Sequence, residues 1–64
     1  MNKAVREFNR LLKKNKITAY KFCKDTGVPQ ATVSAWRTGS RNPSLAKLIV
    51  IADYFGVDIR TFIK

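Results

Sequence analysis

The chain has 64 residues, of which 13 are lysine or arginine, 4 are aspartate or glutamate, one is cysteine and none is histidine. This length makes one small domain, and a single cysteine cannot form an internal disulfide, so the fold depends on its core, as in proteins of a reducing cytoplasm. Without histidine or clustered carboxylates, neither an enzyme nor a metal or cofactor site is expected. The net charge of +9 instead favours a polyanionic partner, either nucleic acid or an anionic membrane surface.

The first two predicted helices follow from apolar spacing and from capping residues. Residues 2–14 carry apolar side chains at the spacing of one helix face, namely Val5, Phe8, Leu11 and Leu12. The hydroxyl of Thr18 suits an N-cap, which begins a second, short helix that ends near Asp25. Gly27 follows, and glycine readily adopts the left-handed conformation that commonly ends a helix.

Three more helices are predicted in the second half of the chain. Pro29 marks the first turn of a third helix, which stops at Gly39. Ser44 caps a fourth, whose inward stripe is expected to be Leu45, Leu48, Ile49, Ala52 and Phe55. Asp58 caps a last short helix. No segment alternates as a strand would, so the predicted fold is all-α: a compact five-helix bundle that forms one domain over residues 1–64.

The spacing within residues 18–38 is typical of a helix-turn-helix. The small Cys23 lies four residues before Gly27, and Val33 and Trp36 lie six and nine residues after it, so the third helix can cross the second one closely. Turning Val33 and Trp36 inward leaves an outward face of small residues and one amide, made of Gln30, Ala31, Ser34, Ala35 and Thr38. Such a face can enter a DNA major groove without steric conflict.

A longer set of residues extends this pattern along the chain: Thr18, Gly27-Val28, Thr32-Val33-Ser34-x-Trp36, Gly39-x-Arg41-Asn42-Pro43-Ser44-Leu45, Leu48, Ile51-Ala52 and Gly56-Val57. With this set, residues 17–63 resemble the Cro and repressor type of helix-turn-helix domain, the lambda repressor-like family. The resemblance implies a sequence-specific transcriptional regulator of double-stranded DNA, of the kind that phages and prophages use as Cro-like repressors. Its third helix would read a palindromic operator from the major groove.

The resemblance also implies roles for individual residues. The base-reading positions are Gln30, Ala31, Ser34, Ala35 and Thr38. Among them, the amide of Gln30 suits bidentate bonding to adenine, and the alanine methyl groups suit the thymine methyl group. The positions expected to contact phosphate are Thr18, Ala19, Tyr20, Lys21, Thr32, Arg37, Ser40 and Arg41.

Three positions depart from the family pattern. Relatives often carry a phosphate-binding glutamine where this chain has Ala19. Many pair an arginine of helix 1 with an acid just after the tryptophan position, but here those positions hold Leu12 and Arg37, which leaves Arg37 available for phosphate or guanine. Pro29 replaces a serine that would cap the recognition helix. Sequence preference is therefore expected to depend on Gln30, Arg37 and DNA shape.

The last two helices hold the residues expected to form a weak homodimer that DNA strengthens. Tyr54 lies off the expected inward stripe of the fourth helix, and relatives often dimerise through this end of the fold. The candidate interface residues are Tyr54, Val57, Ile59 and Phe62. The alternative reading of Val57, Ile59, Phe62 and Ile63 is that they close the small core.

Three alternatives to a Cro-like repressor remain open from the sequence. One is a cationic protein that binds a membrane surface through the apolar face of its first helix. Another is an antirepressor-like protein-interaction module, and a third is the N-terminal DNA-binding domain of a longer repressor. The leading interpretation predicts a cytoplasmic, nucleoid-associated protein of a bacterial or phage-infected cell, with no membrane partner, small-molecule ligand or cofactor.

Overall fold

Five helices account for the architecture of the protein in a computed structural model that describes residues 3–63. They are α1 (Lys3–Lys14), α2 (Ala19–Thr26), α3 (Gln30–Thr38), α4 (Leu45–Phe55) and α5 (Arg60–Ile63). No strand occurs in this part of the chain. The prediction of an all-α, five-helix fold is therefore confirmed, although its proposed first helical residue, Asn2, lies outside the described residues.

The predicted N-caps of α2 and α4 are confirmed. The Thr18 hydroxyl accepts a hydrogen bond from the backbone N–H of Lys21 at 3.1 Å, and the Ser44 hydroxyl accepts one from Lys47 at 3.3 Å. Each bond satisfies a donor that the first turn of a helix would otherwise leave without a partner. Pro29 precedes α3 and does not form part of its first turn; only its carbonyl group caps the helix.

Gly27 and Gly39 end α2 and α3 in the left-handed region, with φ values of 81° and 85°. A residue with a Cβ atom is strained in this conformation, so glycine allows both helices to end abruptly. The N–H of Gly27 donates to the carbonyl of Cys23 at 2.8 Å, which closes the last turn of α2. These two positions fix α3 as a short, separate helix between two turns.

The core is built around Phe8 of α1. Its ring packs edge-to-face on Phe22 of α2, at a centroid distance of 5.0 Å, and on Trp36 of α3, at 5.8 Å. This is a geometry that aromatic pairs prefer. The whole predicted apolar stripe of α1 is buried beneath the other helices. The membrane-surface alternative therefore lacks the exposed apolar face that it requires. No helix within residues 3–63 is long and apolar enough to cross a bilayer.

The predicted inward face of α4 is partly wrong. Leu48 and Ala52 are buried as expected, but Leu45 and Ile49 are 62% and 48% exposed. Ile51, which was not assigned to the stripe, is fully buried. The core-facing side of α4 is therefore rotated from the face that the apolar spacing indicated.

Candidate nucleic-acid interface

The helix-turn-helix comprises α2, the turn of residues 27–29 and α3, which pack against each other. Cys23, Val33 and Trp36 are buried, as the sequence spacing predicted, and Val28 of the turn is buried as well. Desolvation raises the pKa of the Cys23 thiol, so this side chain acts as a small apolar residue between the helices. The Thr26 hydroxyl links α2 to the turn, because it donates to the carbonyl of Phe22 at 2.7 Å and accepts from the backbone N–H of Val28 at 3.3 Å.

The outer face of α3 presents the predicted base-reading residues to solvent. Gln30, Ala31, Ser34 and Thr38 are exposed, and Ala35 is half-buried. The Thr38 hydroxyl lies 3.3 Å from the carbonyl of Ala35, to which it donates, and 3.1 Å from the hydroxyl of Ser40. Gln30 is therefore the largest polar side chain on this face, and it lies at the end of α3 nearest the turn.

The segment after α3 folds back over the end of that helix. The backbone N–H of Arg41 donates to the carbonyl of Ala35 at 3.2 Å, while the side chains of Ser40 and Arg41 remain exposed. This bond holds the backbone of Arg41, an exposed cationic residue, against the last turn of α3. A cation at such a position can contact the sugar-phosphate backbone beside a groove that α3 occupies.

The first turn of α2 holds another group of predicted phosphate contacts. Thr18, Tyr20 and Lys21 are exposed there, and Ala19 is half-buried. The Lys21 ammonium group forms an ion pair of 3.1 Å with Asp25, whose other oxygen accepts a 2.6 Å bond from the Tyr54 hydroxyl. The Tyr54 and Lys21 hydrogen bonds lower the pKa of Asp25, so this carboxylate stays ionised and offsets part of the charge of Lys21.

Arg37 lies beside α1 and near the start of α2. Its Nε donates to the side-chain oxygen of Asn9 at 3.1 Å, a contact that joins residues 28 positions apart. The two line a cleft of about 560 Å³ together with Lys13, Ile17 and the first residues of α2. Asn9 and Lys13 were not among the predicted site residues. The signal that could have indicated them is their i, i+4 spacing along the polar edge of the α1 stripe.

Comparison with known proteins decides the family. A helix-turn-helix family model, that of the Cro/C1 type, matches residues 9–62. The chain belongs to the Cro/C1-type helix-turn-helix family. Searches of the curated proteins and of the solved structures found no significant match. Domains of the helix-turn-helix family bind DNA and regulate transcription, and the chain is assigned to this broad class.

The residues predicted as dimer contacts are buried or half-buried in this helix-turn-helix domain. Phe62 is only 3% exposed and belongs to the core, so its side chain is not presented to a partner. The ring of Tyr54 packs edge-to-face on Phe22 at 5.1 Å, and Val57 and Ile59 are half-buried. Leu45 and Ile49 of α4 are exposed, although the apolar spacing predicted that both would face the core.

Proposed function

We propose that this domain is a sequence-specific repressor of the Cro type, as phages and prophages carry, which inserts α3 into the major groove of a palindromic operator. The observation that supports it best is the outer face of α3. That face is free of bulky side chains, begins with the exposed amide of Gln30 and is bordered by Arg37 and Arg41. An amide can pair with adenine in the groove, and guanidinium groups near the end of α3 can bind phosphates of the DNA backbone.

The experiment that tests this function is selection of binding sites from a pool of random duplexes at physiological salt. Specific recognition by a dimer predicts an enriched sequence with two symmetric half-sites about one helical turn apart. Binding without enrichment that disappears as salt rises would contradict the proposal, since it would reflect charge alone. In that case, capture of a regulator protein that DNA does not displace would support the antirepressor-like alternative.

A weak homodimer is the second part of the proposed function. Leu45 and Ile49 lie one turn apart on α4 and together leave an exposed apolar strip. A stable interface usually buries about 800 Å² on each partner, and so small a strip supports a dimer that forms mainly on DNA. Sedimentation should therefore give a monomer mass for the free protein and two copies on one operator. A single copy on a complete operator would contradict the dimer.

A further inference from the structure

We propose that helix α1 takes part in DNA binding by this domain: Lys13 and the Asn9–Arg37 pair form a clamp for one backbone phosphate. Lys13 contacts the phosphate directly, and Asn9 acts as a positioning residue that orients Arg37. The inference rests on the proposed DNA-binding function and extends the contact surface beyond the helix-turn-helix.

The geometry of the Asn9–Arg37 bond is the first support. The Nε of Arg37 donates to the Asn9 side-chain oxygen at 3.1 Å, and Arg37 makes no other hydrogen bond within residues 3–63. A neutral amide holds the guanidinium group at its Nε edge without cancelling its charge. The remaining N–H groups of Arg37 are therefore available to a phosphate, which guanidinium groups can bind in a bidentate manner.

The charge around the cleft is the second support. Of the residues that line it, Lys13 and Arg37 are cationic and none is acidic. Neither of these two side chains forms an ion pair in the described part of the chain, whereas Arg10 of α1 is paired with Glu7 at 2.8 Å. Two cations therefore line one cleft that has no acidic residue in its lining, an arrangement that suits a phosphate.

The position of the cleft indicates a DNA phosphate as its occupant. Thr18 and Ala19, at the start of α2, lie on its rim, and Arg37 belongs to the last turn of α3. When the recognition helix of a helix-turn-helix occupies the major groove, the helix before it crosses the sugar-phosphate backbone, and the start of that helix, α2, lines this cleft. The clamp then contributes affinity and fixes the orientation of α3, and it carries no information on base sequence.

The test is a double-mutant cycle on the full chain, with binding measured over a range of salt concentrations. Two duplex probes are used, one carrying the selected site and one of scrambled sequence. Lys13→Ala should weaken binding to both duplexes about tenfold and lower the salt slope by about one. Lys14→Ala, which removes the same charge from the neighbouring position outside the cleft, should have a much smaller effect.

Asn9→Ala should weaken binding in the wild-type background but add no further loss to Arg37→Ala, because the proposed role of Asn9 in DNA binding is to orient Arg37. A thermal melt of each variant separates this effect from loss of folding, and Lys13→Ala and Arg37→Ala test the clamp even if Asn9→Ala unfolds. Equal effects of Lys13→Ala and Lys14→Ala, or additive losses at positions 9 and 37, would overturn the clamp.

The scrambled duplex distinguishes this inference from the proposed function. If the wild type bound both duplexes equally and Lys13→Ala still weakened binding to both, the repressor function would be contradicted and the clamp would be supported. Wild-type preference for the selected site with no effect at Lys13 would overturn the clamp alone. Absence of wild-type binding to either duplex would overturn both.

Discussion

Gln30 and Arg41 differ in what each can contribute to DNA binding. Gln30 is exposed at the first position of α3, and its amide offers both a donor and an acceptor to adenine. We predict that Gln30→Ala costs about 1–3 kcal/mol on the selected site and flattens the preference at one base pair. Arg41→Ala should weaken binding to all sequences alike and lower the salt slope by about one. Titrations of both variants against selected and random duplexes measure the contrast.

If Gln30→Ala and Arg41→Ala weakened binding to selected and random duplexes by the same factor, the roles assigned to the two residues would be wrong. The contrast is informative because both side chains are exposed and neither belongs to the core. Their substitution should therefore leave the free energy of unfolding within about 0.5 kcal/mol of the wild type.

Asp25 holds the ammonium group of Lys21, one of the phosphate contacts predicted at the start of α2, in an ion pair of 3.1 Å. We predict that Asp25→Asn strengthens binding to random duplexes, since it removes a negative charge and releases Lys21 while an amide oxygen can still accept from Tyr54. Asp53→Asn is the matched control, because Asp53 is exposed on α4 and its substitution causes the same change in net charge. An equal gain from both variants, measured by titration at low salt, would show that only the total charge matters.

Helices α2 and α3 approach closely because Cys23 is small. This residue is only 7% exposed, and the two helices pack against each other. We predict that Cys23→Leu lowers the free energy of unfolding by about 1–3 kcal/mol, because the larger side chain must push its neighbours apart. Cys23→Ala should cost about 1 kcal/mol or less. Chemical denaturation measures both, and equal stability of the leucine variant and the wild type would mean that the packing tolerates the added volume.

The sequence predicts α1 well and the orientation of α4 poorly, and the difference has a physical reason. In α1 the charged residues lie on one side of the helix, so the apolar spacing selects the buried face. In α4 most of the 11 residues are apolar, and several faces satisfy the same spacing. The packing of α4 on its neighbours then decides that Ile51 is buried and Ile49 is exposed.

Local apolar spacing also predicts only part of the candidate site. The exposure of Gln30, Ala31 and Ser34 follows from the inward spacing of Val33 and Trp36, which the sequence alone provides. The Asn9–Arg37 contact could not be derived in this way, because it joins α1 and α3 across 28 residues. Contacts of that kind depend on how whole helices cross, which local periodicity does not specify.

The stability of the whole molecule should change at acid pH and little near neutrality. The side-chain and backbone hydrogen bonds from Arg60 lower the pKa of Asp58 from 3.8 to about 2, and hydrogen bonds also lower those of Glu7 and Asp25. A carboxyl group whose pKa is lower in the folded state stabilises the fold above its unfolded pKa, and this contribution is lost as the pH falls through the folded value. We predict that thermal stability declines from about pH 4 to about pH 2.

Melting curves across this pH range test the prediction, and Asp58→Asn serves as the control. The variant should be less stable than the wild type at pH 6, and the difference should shrink towards pH 2, where Asp58 is becoming protonated in the wild type as well. A difference that does not depend on pH would contradict the assignment to this carboxylate. Near neutral pH the curve should be flat, because the sequence has no histidine and the described core holds no polar or charged side chain.

The small exposed side chains on the outer face of α3 have a consequence for how such a protein can evolve. Ala31 and Ser34 are exposed and contribute nothing to the core beneath Val33 and Trp36. Replacing them with longer polar side chains changes the chemistry of this face at almost no cost to folding. The base-reading positions that we propose and the core positions are thus different residues of the same nine-residue helix. If α3 reads an operator as proposed, one or two substitutions on this face would give a lineage a new target site and leave its folding stability almost unchanged.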